Sequence, residues 1–294
     1  MAYVDHVPTT DPSRRLRNAV EPLAANVYFA KPAHDRYEAL GLDYFAGYFC
    51  SRSACMGRLN GEAVTAAFGV FNPAAVIPAV QKGWSLTDPE TILEARREGA
   101  TEELTRILSD DNGGSLPDGV ERATELLRKA GEATFPNGHL VHAGLRSLPW
   151  PGDPVGDLWR AADLLREFRG DTHNAAWVAG GVDAVEITLL TERWWGIGLN
   201  SYCWTRGWSQ EEIDAGIQRL RDRGLLEGED LTHEGRAVRE AIEVATDAGD
   251  RAVLDALGDD FDELVGLLRP WAKAVVAAGG YPMDPANLGD AVQR

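Results

Sequence analysis

Residues Ser209–Glu240 read SQEEIDAGIQRLRDRGLLEGEDLTHEGRAVRE. Ser209 suits an N-cap, and Glu212 three positions on completes a capping box. Ile213, Ile217 and Leu220 recur at helical spacing until Gly224 stops the run. Leu225-Leu226 and Leu231 flank the tight turn Glu229-Asp230, and Thr232 caps the next helix. The stretch predicts a helix, a short strand pair and a second helix, the element order of a winged helix.

Outward from there the pattern is mainly helical. Pro32 suits a helix start, and helices are expected over 46–59, 62–71 and 120–130, with SDDNGGSLPDG (109–119) as a loop. SLPWPGDP (147–154) carries three prolines and marks a boundary. The expected pieces are a loose arm over 1–20, a first half over 21–150 and a second half over 151–294. In the second half, 157–168 reads as helix, Arg169-Gly170-Asp171 as a bend, and 172–179 and 182–190 as two further helices. Lys82-Gly83-Trp84-Ser85 recurs as Arg206-Gly207-Trp208-Ser209 at an offset of 124, while Asp43/Asp163 and Gly61/Gly181 lie at an offset of 120. Each tetrapeptide precedes an acidic helix, so an internal duplication is expected.

The string RLRDRGLL…LTHEGRAV (219–226, 231–238) resembles the recognition-helix, wing and following-helix portion of MarR-type regulators. Phe45-Ala46-Gly47, Phe71-Asn72-Pro73, Leu158-Trp159 and Arg169 to Ala176 (RGDTHNAA) resemble an actinobacterial family of SalK-like helix-turn-helix proteins. The resemblance covers most of residues 20–280. It implies a mainly α fold built from two winged-helix-like halves, an intrachain pseudo-dimer, in a specialised-metabolism setting. It implies little about chemistry.

The chain has 294 residues, 44% hydrophobic, enough for two domains or one doubled domain. No run of about 18 apolar residues is present, so no transmembrane helix is expected. No basic-then-apolar leader opens the sequence, and Cys50, Cys55 and Cys203 are odd in number without a CxxC spacing. Reduced thiols and a cytoplasmic location are therefore expected. GxGxxG, GxxxxGK[ST] and GxSxG are absent, which disfavours nucleotide and serine-hydrolase readings. His139 and His142 lack a third ligand nearby, so a loop or surface role is expected and no metal.

A net charge of -17 argues against a general nucleic-acid or anionic-membrane partner. Locally the argument sharpens. Residues 210–234 carry eight acids and three bases, Arg219, Arg221 and Arg223. A DNA-reading helix needs cations against phosphates, and acids there reverse the sign of that contribution. DNA is therefore a disfavoured partner.

For chemistry, Asp171 can cap a helix opening at Thr172, placing His173 in the first turn, where the helix dipole favours the neutral imidazole. Trp177 lies at i+4 from His173, and Glu186 interrupts the apolar run VDAVEITLL (182–190). His173, Asp171 and Glu186 together can move protons. The alternative is a helix cap and a core histidine. Arg52 can grip a carboxylate or phenolate, or pair with Glu62. Tyr48, Asn72, Trp177, Trp195, Tyr202 and Trp204 are candidate ligand contacts, or simply the core between halves. The expected function is binding of an aromatic or polycyclic small molecule between the halves, on a scaffold poor at holding DNA. The alternatives are a ligand-responsive transcriptional regulator and a cofactor-free cyclase, isomerase or lyase using His173. No cofactor is expected, with haem left open, and the chain is read as monomer or homodimer.

Overall fold

A computed structural model describes residues 10–282, and the chain is mainly helical. Six helices come first: α1 (Pro12–Ala25), α2 (Lys31–Ala39), α3 (Tyr44–Ser53), α4 (Gly61–Phe68), α5 (Pro73–Leu86) and α6 (Pro89–Asp111). They are followed by α7 (Val120–Glu132), α8 (Leu140–Arg146) and α9 (Pro154–Ala179). After α10 (Ala184–Trp194) come α11 (Gln210–Asp222), the strands β1 (Leu226–Glu227) and β2 (Asp230–Leu231), and α12 (His233–Gly249). The last two helices are α13 (Arg251–Leu257) and α14 (Phe261–Ala277).

The expected helix, hairpin and helix over 209–240 are present. Ser209 and Glu212 form the capping box that opens α11, and β1 pairs antiparallel with β2. Side-chain caps start most of the other long helices: Asp11, Asp43, Asn72, Asp88, Asp153 and Asp183 each accept a first-turn amide. Each such cap contributes about 1 kcal/mol.

Two apolar cores share one helix. The larger core runs from Leu16 to Phe168 and takes in Val253 to Val276. The smaller holds Trp177, Val185, Leu189, Ile213, Leu220, Leu231 and Ile242. α9 enters the first with Val155–Phe168 and reaches the second with Trp177. A cut at 150 therefore does not separate the cores. α9 serves both, and α13 and α14 return to the first.

Three expectations are corrected. The loose arm over 1–20 is α1 from Pro12 onward; residues 1–9 lie outside the described residues. Leu16, Val20 and Leu23 face the core, while Arg14, Arg15 and Arg17 pair with acids more than 200 positions away on α12 and α14. No local pattern carries such partners. The bend at Arg169-Gly170-Asp171 does not exist either: α9 runs through it for 26 residues. Glycine inside a helix costs only about 1 kcal/mol, which tertiary contacts readily offset. The repeat register also fails. Asp43 caps α3, but Asp163 is buried mid-helix against Arg96. Lys82–Ser85 lies within α5, whereas Arg206–Ser209 leads from a 3-10 turn to the cap of α11.

Close packing of α2 on α6 depends on Gly99, where a Cβ would come within 2.4 Å of the Ala33 backbone. Gly99→Val is expected to lose about 1–3 kcal/mol through overpacking. Gly131→Ala, where a Cβ meets nothing within 4 Å, should be neutral or gain about 0.5–1 kcal/mol. Urea unfolding of both variants checks the pair, and equal losses would contradict this account of the packing.

Candidate functional site

A cavity of about 280 Å³ opens where the two cores meet. Helical spacing explains its walls. Tyr44, Tyr48 and Arg52 recur every fourth residue on α3, so one face of α3 points inward. Arg166, Arg169 and His173 do the same on α9, Thr188 and Thr191 on α10, and Arg239, Glu243 and Thr246 on α12. Tyr28 and Phe71 complete the first-core side, and Trp195, Tyr202 and Arg206 the other. Phe71 packs edge-on to Phe49, with centroids 5.1 Å apart, and Tyr48 sits 5.0 Å from Tyr28.

Two ionic groups brace these walls. In the first, Glu167 accepts from Arg52 Nε at 2.9 Å and Nη2 at 2.7 Å, from Arg166 Nη1 at 2.6 Å and from the Tyr28 hydroxyl at 3.2 Å. Burial pushes the Glu167 carboxyl up, but the Arg52 and Arg166 guanidinia outweigh it and hold the pKa at about 2. The carboxylate is thus ionised at any working pH. In the second group, Arg169 donates to Asp250 and Asp247 at 2.6 Å each and to Glu243 at 2.7 Å. Glu243 also takes Arg239 and Arg17, and despite burial its carboxyl is held well below the usual range by those guanidinia.

His173 lies deep in α9, not in a first turn. Its imidazole is pushed down to about 3, chiefly by burial and then by Arg239, with Arg169 and Arg17 adding to the effect. The neutral form is favoured as expected, but from desolvation and cations rather than a helix dipole. Its Nδ1 lies 3.0 Å from the Thr246 hydroxyl, which donates its own proton to Ile242 O at 2.8 Å. The shared proton must then sit on Nδ1, leaving Nε2 as an acceptor.

The structure gathers only part of the expected site. Tyr48, Arg52, His173, Trp195 and Tyr202 line the cavity. Arg52 pairs with Glu167 rather than Glu62. Asp171 and Glu186 do not join His173. Asp171 accepts the His142 amide at 3.1 Å at the start of α8. Glu186 accepts the Asp183 amide at 3.0 Å and the Arg223 guanidinium at 2.6 Å, closing a capping box on α10. Trp177 donates to Asn174 Oδ1 at 3.2 Å within the smaller core, and Trp204 packs against that core. Asn72 caps α5 and donates to Glu212 at 3.0 Å. Sequence reading missed Tyr28, Arg166, Glu167, Arg206 and Glu243. The i, i+3, i+7 spacing of Arg166, Arg169 and His173 was the available signal, masked by the supposed bend.

The cysteines are buried, and burial pushes the thiols of Cys50 and Cys55 up to about 12. His142 is fully buried, against the expected loop or surface role, with Nε2 2.8 Å from the Thr134 hydroxyl and Nδ1 3.0 Å from Leu164 O. Among the described residues no group of three or more His, Cys, Asp or Glu can hold a metal ion, and no helix is long and apolar enough to cross a membrane.

These buried charges have measurable consequences. Glu167→Gln leaves the Arg52 cation without a counter-charge and Arg166 with Glu21 alone, and urea unfolding should register a loss of about 3–5 kcal/mol. The Asp171 carboxyl is pushed up to about 7 by burial. A raised carboxyl pKa means that the folded state is penalised as pH climbs from 3.8 through 7. Asp171→Asn should therefore gain stability relative to the parent at pH 8, with the advantage fading by pH 5. A difference independent of pH would contradict this.

No curated protein and no solved structure matches the chain. A family model described as a helix-turn-helix family matches residues 13–282. The chain belongs to this helix-turn-helix family.

Proposed function

We propose that the cavity between the cores binds a planar aromatic or polycyclic small molecule, such as a specialised metabolite, which the protein senses or acts on. The observation that carries this reading is the cavity itself: about 280 Å³, walled by Tyr28, Tyr44, Tyr48, Phe71, Trp195 and Tyr202. Aromatic walls with a few fixed polar groups suit such ligands. The structure corrects one detail of the sequence reading. Tyrosines supply most of the aromatic wall, and Trp195 is the single tryptophan among the lining residues.

We read the scaffold as two related helix-turn-helix units of MarR-like kind facing each other across the cavity. Asp43 and Asp183, 140 positions apart, each cap a helix that comes after a left-handed glycine, Gly41 or Gly181. Those helices, α3 and α10, supply opposing walls. Asn72 caps α5, the second helix after α3, and Ser209 caps α11, the first after α10, and Asn72 reaches across to Glu212 of α11. This register supports duplication better than the tetrapeptide does.

Weak DNA binding is part of the same reading. The three bases of 210–234 are already engaged: Arg219 with Asp183 at 2.6 Å, Arg221 with Gly228 O at 2.8 Å and Arg223 with Glu186 at 2.6 Å. Eight acids surround them. Phosphate contact would have to break these pairs.

Titration with naphthalene, anthraquinone and flavone skeletons, monitored by tryptophan fluorescence and calorimetry, tests the reading. Saturable one-to-one binding is expected, weakened about three- to tenfold by Tyr48→Ala. Absence of saturable binding would overturn it. A tight mobility shift with upstream DNA at 150 mM salt, released by ligand, would favour a transcriptional regulator instead.

A further inference from the structure

Six guanidinia line the cavity: Arg17, Arg52, Arg166, Arg169, Arg206 and Arg239. Five have a carboxylate partner among the described residues. Arg17 and Arg239 pair with Glu243, Arg52 with Glu167, Arg166 with Glu21 and Glu167, and Arg169 with Glu243, Asp247 and Asp250. Arg206 has none. Its Nη2 donates to the Tyr202 hydroxyl, while its Nε is buried without a hydrogen-bond partner. Its Cζ lies 4.1 Å from the Tyr202 ring centroid and 4.8 Å from that of Phe71.

A half-buried cation without a counter-charge is costly. The aromatic faces of Phe71 and Tyr202 compensate in part, since cation–π contact returns about 0.5–2 kcal/mol. They do not supply hydrogen-bond acceptors for a guanidinium that carries five N–H donors.

We infer that the ligand is an aromatic anion, a carboxylate or an acidic phenolate attached to a planar ring system, whose charged group seats on Arg206. This deepens the proposed function and rests on it. The ring system lies among Tyr44, Tyr48 and Phe71 on the first-core side, and the anion meets Arg206 on the other. One ligand then touches both cores. Binding spans the 3-10 turn Cys203–Arg206, which leads directly into the cap of α11. His173 lines the same cavity, and its Nε2 acceptor suits a hydroxyl donor elsewhere on the ligand.

The test uses a matched pair of probes, 2-naphthoate and 2-naphthamide, which share shape and differ in charge. Calorimetry on the full chain is expected to give naphthoate roughly tenfold or greater preference, as a charge-assisted hydrogen bond supplies. Arg206→Met should bring the two affinities together by weakening naphthoate while leaving naphthamide within about threefold. Arg206→Lys should keep part of the preference, and its unchanged melting temperature guards against misfolding. An equal affinity of the parent for both probes, or an undiminished preference in Arg206→Met, would overturn the inference while leaving the aromatic site standing. Failure of both probes to bind the parent would overturn the site and the inference together.

Discussion

The ionised carboxylate of Glu167 is the constraint on which the cavity depends. It is buried, yet it draws in Arg52 from α3 and Arg166 from its own helix, with Tyr28 as a third donor. None of these charges is tolerable alone at that depth. Together they fix the inner face of α3 relative to α9, and with it the positions of Tyr44 and Tyr48. The Arg169 group does the same for α1, α9 and α12. Ion pairs and ring contacts thus line the space between the two cores.

That arrangement explains why a protein with a net charge of -17 presents a cationic interior face. The acids are spent in two places. Some neutralise guanidinia at the cavity, Glu21 and Glu243 from within its lining and Glu167, Asp247 and Asp250 from beyond it. Others occupy the outward surface of α11 and the hairpin. On the proposed reading the acids outside disfavour phosphate, and Arg206 offers an anion an unopposed charge inside the cavity.

The sequence made α11, the hairpin and the start of α12 legible and left α1 and the full length of α9 opaque, for a physical reason. The caps, the apolar period and the glycine stop of α11 are local signals, and all appear where expected. α1 and the unbroken α9 depend on partners far along the chain. Arg14 needs Asp247, and Arg169 needs Glu243 and Asp250, so their segments looked like an arm and a bend. In the site, Tyr48, Arg52, His173, Trp195 and Tyr202 were found from residue type and rough position. Asp171 and Glu186 were misplaced because a carboxylate near a histidine in sequence says little about distance across two helices. Arg206 was visible only as one letter of a repeat. What distinguishes it among the cavity's guanidinia is that no described carboxylate pairs with it, which no sequence pattern records.

The family assignment supplies the scaffold, and the cavity supplies the functional argument. Hydrogen–deuterium exchange of the full chain with and without 2-naphthoate tests the central claim most directly. The account predicts slowed exchange in α3, in the 166–174 portion of α9 and across 202–206, with the exposed face of α11 and the hairpin unaffected. Protection confined to α11 and the hairpin, or spread evenly over the chain, would contradict it.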